Sequence, residues 1–383
     1  MSSNAASARP YQICTRCVMD TTDPLIVFGD DGHCNHCTDF LANRIGVITA
    51  PKPGDAELAA LFDRVAADGR GRDYDCVVGV SGGVDSSYVA ARAAEHGLRV
   101  LAVHLDNGWN SKIAVDNIRN LANRLKLAYA SYVLPWSEFR EVQTAFLRGS
   151  VPEAETPTDV AIQRAVHEHA KKNGIKYILS GGNIASEGIL PVTWHYNARD
   201  TRYSYAILDA TRCPRRFFKS QKFGLLADAY CRIVKGVKTV YPLNFIQYDK
   251  ADARRYLEDN YGWQYYGSKH GESRFTKFIQ NYYLFVKHGI DYRRATLSSE
   301  ILVGSVSRAD ALVILRNSPA SDYDIKGESA YIAKKLGLSD EELDRIINAE
   351  PKWYFDYSNN ETTLGWAYDT YRWLTGRRKT SNF

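Results

Sequence analysis

From residue 73 onward the chain alternates short, unbroken apolar runs with longer stretches of helical period. DYDCVVGV (73–80), LRVLAVHLD (98–106), LAYASYVLP (127–135), IKYILS (175–180) and VKTVYPL (237–243) read as strands, the first two as buried ones. Between them, residues 86–96 read as a helix stopped by Gly97 at its C-terminus. Asn117–Leu125 reads as a second helix, and 159–173 as a third, capped by Thr158 and ended by Gly174. Apolar strands without alternation, separated by helices, predict an α/β fold with a doubly wound parallel sheet.

The pattern changes at both ends. Upstream, residues 55–68 have helical period and follow a Pro/Gly-bearing linker, APKPGDAE (50–57). Beyond 250 the strand signal fades. Residues 249–260, 273–289, 307–317 and 339–350 all carry helical periods, the last opened by a capping box of Ser339 and Glu342. The tail GRRKTSNF is basic and reads as frayed. Three regions follow: a cysteine-rich segment over 1–50, the nucleotide-type sheet over 51–250, and a mostly helical domain over 251–383.

Composition narrows the class. A chain of 383 residues has room for its cores without disulfides. No apolar run approaches the length of a membrane span, and the N-terminal residues lack the apolar core of a secretory signal. With seven cysteines, an odd number, a reduced cytoplasmic protein is expected. The formal charge of +5 suits an anionic small molecule better than nucleic acid. The 25 Tyr and 7 Trp against 2 Met suit sugar and nucleotide surfaces, and equally suit a core.

The strongest chemical signal is Ser81-Gly82-Gly83-Val84-Asp85-Ser86-Ser87, set between an apolar strand and a helix. Glycines allow a sharp turn and bring backbone N–H groups close to an anion, and the helix start adds unsatisfied donors. Ser81 and Ser86 add hydroxyls, and Asp85 either holds Mg²⁺ or orders the loop. The G-x4-G-K-[ST] pattern is absent. The loop resembles instead the SGGxDS loop of the pyrophosphate-loop (PP-loop) ATP pyrophosphatases, which cleave ATP between the α and β phosphates. The second strand ends in His104-Leu105-Asp106-Asn107-Gly108-Trp109-Asn110, where Asp106 is expected at adenosine or metal and Asn107 and Trp109 along the same crevice. The fourth ends in Ser180-Gly181-Gly182-Asn183-Ile184-Ala185-Ser186-Glu187, with Asn183 and Glu187 on one face of a starting helix.

Cys14, Cys17, Cys34 and Cys37 form C-x2-C-x16-C-x2-C, two knuckles that complete a tetrahedral all-sulfur site. All-cysteine ligation points to a closed, structural Zn²⁺, and an iron–sulfur cluster uses the same donors. Cys76, Cys213 and Cys231 have no partner spacing.

The knuckles, SGGVDSS, HLDNGWN, SVPEAETPTD (150–159), LSGGNIASEGILP (179–191) and GSKHGESRFTKFIQ (267–280) together resemble the N-acetyl sugar amidotransferases of bacterial surface-polysaccharide and flagellin-sugar biosynthesis. The resemblance runs from about residue 11 to about 315. It implies that ATP adenylylates the acetamido oxygen of a nucleotide-activated sugar. Ammonia from a separate glutaminase, similar to that of imidazole glycerol phosphate synthase, then displaces AMP to leave an acetamidino group. Some members read G-E-N where this chain has Gly181-Gly182-Asn183, so a carboxylate at 182 is lacking while Glu187 remains.

On this reading ATP is held by Ser81, Gly82, Gly83, Val84, Asp85, Ser86, Asp106, Asn107, Gly181, Asn183 and Glu187. Mg²⁺ neutralises phosphate charge. Lys269, His270 and Glu272 join Ser81, Asp85 and Ser86 in catalysis. Ser273, Arg293 and Arg294 are expected at the nucleotide sugar, with Trp109 and Trp194 against a base or sugar face. The alternative is a tRNA-thiolating enzyme, which also pairs such a loop with knuckles but needs reactive cysteines and a broad basic face.

Overall fold

The computed structural model describes residues 9–47, 56–267, 271–321 and 323–375. Most of the linker, and the basic tail, lie outside the described residues. Five strands form one parallel sheet: β1 (Cys76–Gly79), β2 (Val100–Asp106), β3 (Ala128–Val133), β4 (Tyr177–Leu179) and β5 (Lys238–Val240), in the order β3-β2-β1-β4-β5. The order reverses at β1, so the loops after β1 and β4 meet at the switch point.

The unbroken apolar runs are explained by two cores. Val77, Leu101, Val103 and Ile178 face one core, while Cys76, Val78, Val100, Ala102, Tyr177 and Leu179 face the other. Each residue of the central strands therefore meets a covered face. β3 differs because it is an edge strand. Its residues alternate between half-buried and exposed, with Tyr129 and Val133 turned to solvent.

The helix Val84–Glu95 stops where expected, with Gly97 at φ +92°. Two helices begin earlier than their periodicity suggests. The second is Lys112–Leu125, capped by Ser111, whose Oγ accepts the Ala114 N–H. The third is Thr156–Lys172, so Thr158 lies inside it and is not its cap. Pro157 in the first turn, where no amide donor is needed, sets the start.

Much of the helical C-terminal part shares the core of the sheet, while Leu297 and Ala311 form a small cluster of their own with Val18. Phe275, Tyr283, Ile332, Leu343 and Tyr354 share a core with Val77 and Leu101 of the sheet. The Lys250–Tyr261 helix closes the opposite face through Ala253 and Leu257. No described helix is long and apolar enough to cross a membrane.

Candidate active site

The loop after β1 turns at Gly82, where φ is +81° and a Cβ would stand 2.5 Å from the Ala114 carbonyl oxygen. Only glycine fits there. The Trp263 indole N–H donates to the Gly82 carbonyl at 3.0 Å and fixes the turn from outside. Gly83 precedes the Val84–Glu95 helix without a side-chain cap, which leaves that first turn to serve an anion. The Ser81 and Ser86 hydroxyls lie 3.3 Å apart across the loop. Gly181 comes so close that a Cβ would be 2.7 Å from the Ser86 nitrogen. The β1 and β4 loops thus touch backbone to backbone.

Asp85 is taken up by protein partners. Its carboxylate accepts from the Tyr248 hydroxyl and from Lys250 Nζ at 3.0 Å, so it orders the loop. Burial pushes the Lys250 ammonium down, but the charges of Asp85, Glu187 and Glu272 outweigh burial and hold it above its ordinary value. Burial, then Asp85, pushes the Tyr248 phenol up. Tyr266 accepts the Val84 N–H and bonds Glu272, whose Oε1 lies 3.6 Å from where a Cβ on Gly83 would stand.

Beside the loop opens a cavity of about 400 Å³, walled in part by Ser81, Asn107, Glu155, Asp159, Trp194 and His195. Glu187, Glu272 and Ser273 also line it. Burial, then Asp159, pushes the Glu155 carboxyl up to about 8, with Glu272 adding to the rise and a Thr276 bond opposing it. Burial pushes Asp159 up to about 7 and His195 down to about 4.

Of the expected residues, Ser81 through Ser86, Gly181, Glu187 and Glu272 converge on the loop and cavity. Asn107 reaches the wall, bonding Thr158 through its amide. Asp106 does not line the cavity; its Oδ1 accepts the Gly108 N–H at 2.9 Å and shapes the turn. Asn183 caps the short Ile184–Glu187 helix through the Ser186 N–H, and Ser273 caps Arg274–Phe278. Trp194 is buried in the wall, its ring tilted against Tyr292. Lys269 and His270 lie outside the described residues.

Three expectations are corrected. Trp109 is a core residue: it is 1% exposed, stacks on Phe275 at 5.0 Å, and gives its indole N–H to Gln143 Oε1. Arg293 is held by Asp291 and the carbonyls of Ile314 and Asn317. Arg294 is held by Asp20 at 3.0 Å and the Val18 carbonyl. Both guanidinium groups brace backbone and are not turned to a phosphate. Conversely, Tyr248, Lys250 and Tyr266 carried no sequence signal. Lys250 begins an ordinary amphipathic helix, and Glu155 and Asp159 sit in a segment that suggested no chemistry.

The four N-terminal cysteines converge with all Sγ atoms within 4.8 Å of one another. The Sγ atoms of Cys14 and Cys37 lie 3.7 Å apart, those of Cys17 and Cys34 3.8 Å, and those of Cys34 and Cys37 3.6 Å. A tetrahedron with metal–sulfur bonds of about 2.3 Å has edges of about 3.8 Å, so the donors fit a single ion. Arg308 donates to the carbonyls of Cys14 and Cys17. Asp23 joins His36 to Thr193, each at 2.7 Å. The knuckles therefore tie the segment after β4 to the C-terminal helices.

Residues 74–135 match the tRNA methyl transferase HUP domain, and residues 272–374 match the C-terminal domain of LPS biosynthesis protein WbpG-like proteins. The first spans β1, its glycine loop, β2 and β3. Each match covers less than half of the chain, and the first, with the parallel sheet and its glycine loop, gives the PP-loop HUP fold.

No curated protein matches the chain. Three solved structures show similarity at low identity. The NH3-dependent NAD synthetase of Campylobacter jejuni has TM-score 0.30 and 14% identity over 54% of this chain and 95% of its own. The NMN synthetase of Francisella tularensis has TM-score 0.29 and 13% identity over 55% and 94%. The U34-tRNA thiolase NcsA of Methanococcus maripaludis, solved with its [4Fe-4S] cluster, has TM-score 0.34 and 13% identity over 85% and 89%. Likeness at this level carries nothing about chemistry.

Proposed function

We propose that the chain is an ATP-dependent amidotransferase acting on an acetamido group of a nucleotide-activated sugar, for lipopolysaccharide O-antigen or a related glycan. One observation supports this most. A PP-loop opens onto a carboxylate-lined cavity, in a chain whose C-terminal part matches a domain of lipopolysaccharide biosynthesis proteins.

An amide carbon is a poor electrophile until its oxygen becomes a leaving group. Adenylylation achieves this, and the loop N–H groups with Ser81 and Ser86 stabilise the departing pyrophosphate. Lys250 stands at the loop to offset phosphate charge. ATP arrives with Mg²⁺, which neutralises phosphate charge, and Glu272 is the carboxylate nearest Gly83 to hold it. Ammonia displaces AMP, supplied by a separate glutaminase. The reaction belongs to the cytoplasm, where ATP and nucleotide sugars are available.

The four-cysteine site is read as closed, structural Zn²⁺. A four-iron cluster places each cysteine on a different iron and so holds the sulfurs farther apart than one ion does. The tRNA-thiolating alternative lacks support at the cavity, because none of its wall residues is a cysteine among the described residues. Cys76 and Cys231 are buried, and burial pushes both thiols up.

The test is incubation with ATP, ammonium and a panel of acetamido nucleotide sugars, read by mass spectrometry. A product in which NH replaces O, formed with AMP and pyrophosphate, is expected. Modification of tRNA with no sugar product would favour the alternative.

A further inference from the structure

The segment Glu153–Asp159 has no part in the phosphate loop, yet it forms one wall of the cavity. Glu155 and Asp159 lie four residues apart at the start of the Thr156–Lys172 helix, so their carboxyl groups share a face. They belong to a row. Glu272 continues it to the PP-loop above Gly83, and at the far end His195 Nε2 stands 3.9 Å from Asp159 Oδ2. Among the described residues, no Lys or Arg lines the cavity. Such a wall attracts a cation.

Two further atoms ask for a ligand. Asp159 Oδ2 is shut off from solvent and has no hydrogen-bond donor. Trp194, in the same wall and 1% exposed, has an indole N–H with no acceptor. One needs a donor and the other an acceptor. Ammonia, with three N–H bonds and a lone pair, carries both kinds of group.

The protons of the reaction say what else is needed. In the first half the acetamido oxygen bonds the α-phosphorus, pyrophosphate leaves with its bonding pair, and the amide nitrogen gives up its proton to the departing pyrophosphate. An imidate remains. In the second half the ammonia lone pair forms the new C–N bond, and the C–O bond breaks with its electrons going to AMP. The three protons of ammonia stay on the two nitrogens of the amidinium product. Nitrogen that enters as ammonium must therefore lose one proton before it can attack.

We propose that Glu155 is the proton acceptor that converts ammonium to ammonia in this cavity, with Asp159 holding the cation beside it. This rests on the amidotransferase reading above. Glu155 is faced by Asp159 on its own helix, by Glu272 and Thr276 from the segment beyond, and by half-buried Tyr292. Burial among these groups keeps its carboxyl in the range where it exchanges a proton near neutral pH. The motif ETPTD thereby gains a role: Thr156 and Pro157 start the helix that sets two acids side by side.

The test uses the full chain with an acetamido nucleotide sugar and three readouts. These are sugar-dependent exchange of pyrophosphate into ATP, product from ammonium chloride, and product from hydroxylamine, a nucleophile already neutral at pH 7. Glu155→Gln is expected to keep exchange and the hydroxylamine reaction within about threefold of wild type. The same variant loses the ammonium reaction by about a hundredfold or more, as loss of a general base does, and the deficit shrinks as pH rises. Asp159→Asn raises KM for ammonium and leaves exchange alone. Full ammonium activity in Glu155→Gln, or an equal loss of all three readouts in a folded variant, overturns the proposal. If Glu155→Gln does not fold, the wild-type pH profiles decide. An ionisation near 8 in kcat/KM for ammonium but not for hydroxylamine supports it, and identical profiles overturn it. Absence of exchange in the wild type with every acetamido sugar overturns the amidotransferase reading instead.

Discussion

Lys250 Nζ lies 3.0 Å from Asp85 Oδ2, although 165 residues separate the two in the chain. The contact joins the first turn after the PP-loop to the helix that closes the sheet's second face. The pair is part-exposed, with 41% of the Lys250 and 21% of the Asp85 side chain open. An ion pair so placed contributes about 0–1 kcal/mol to stability. A positioned cation at a phosphate is worth far more to the reaction. Lys250→Ala is therefore expected to leave the melting temperature nearly unchanged and to lower pyrophosphate release by about a hundredfold to a thousandfold. Thermal melts and a pyrophosphate assay on the same preparation check this. A large loss of stability with normal turnover would make the pair structural.

The backbone contact between the two glycine loops gives a second expectation. In Gly181→Ala the new Cβ would meet the Ser86 nitrogen at 2.7 Å and the Asp85 carbonyl carbon at 2.8 Å. Neither neighbour is a flexible side-chain end, so the loops must separate. Overpacking of this kind costs about 1–3 kcal/mol, and it displaces the helix start that faces the phosphates. Denaturant unfolding and the KM for ATP should both worsen. Gly71→Ala is the comparison, since no atom lies within 4 Å of its Cβ position, but its φ of +77° makes it carry backbone strain alone.

The acids of the cavity wall predict how stability varies with pH. Glu153 and Asp159 are pushed up to about 7 and Glu155 to about 8, each chiefly by burial. A carboxyl whose folded pKa lies above its unfolded value binds protons more readily in the folded state. Its stabilising contribution is complete below the unfolded pKa, near 4, and is lost as pH rises through the folded value. The chain should therefore lose stability between about pH 6 and pH 9 by way of these groups. Glu155→Gln removes part of that slope, measurable as the difference in melting temperature between the two pH values. A slope unchanged in the variant would place Glu155 in open solvent.

The cysteine site makes a prediction at a distance. Through Asp23, His36 and Thr193 on one side and Arg308 on the other, the knuckles hold the segment after β4 against the C-terminal helices. Removing the metal with a chelator, or substituting Cys34→Ser, should lower the melting temperature and speed hydrogen exchange at 189–195. Metal analysis should return one zinc per chain and no iron. Two or more irons per chain with loss of colour on chelation would overturn the single-ion reading.

How much of this was legible in the sequence depends on range. All five strands can be read because their apolar runs are local, and the glycine loop because its residues are adjacent. The knuckles can be read because ligand spacing is itself local. The exposure along β3 cannot, since an edge position is a property of the whole sheet. Trp109 has the look of a ligand platform from its place beside DNG, but the core that covers it comes from Phe275 and Tyr331. Arg293 and Arg294 suggest phosphate forks until Asp291 and Asp20 claim them. Lys250 and Tyr248 are invisible because their role is set by a partner far away in the chain. Glu155 and Asp159 are on view as a motif, but acids acquire function from burial, which spacing does not reveal.

The central claim is that ATP activates the acetamido oxygen itself. The direct measurement starts from an acetamido nucleotide sugar carrying ¹⁸O in the acetamido carbonyl, with ATP and ammonium, and follows the label into AMP by ³¹P NMR or mass spectrometry. Transfer of ¹⁸O to the phosphate of AMP, matched mole for mole by an amidine sugar, is the expected result. AMP without label, or label retained in the sugar product, would contradict it.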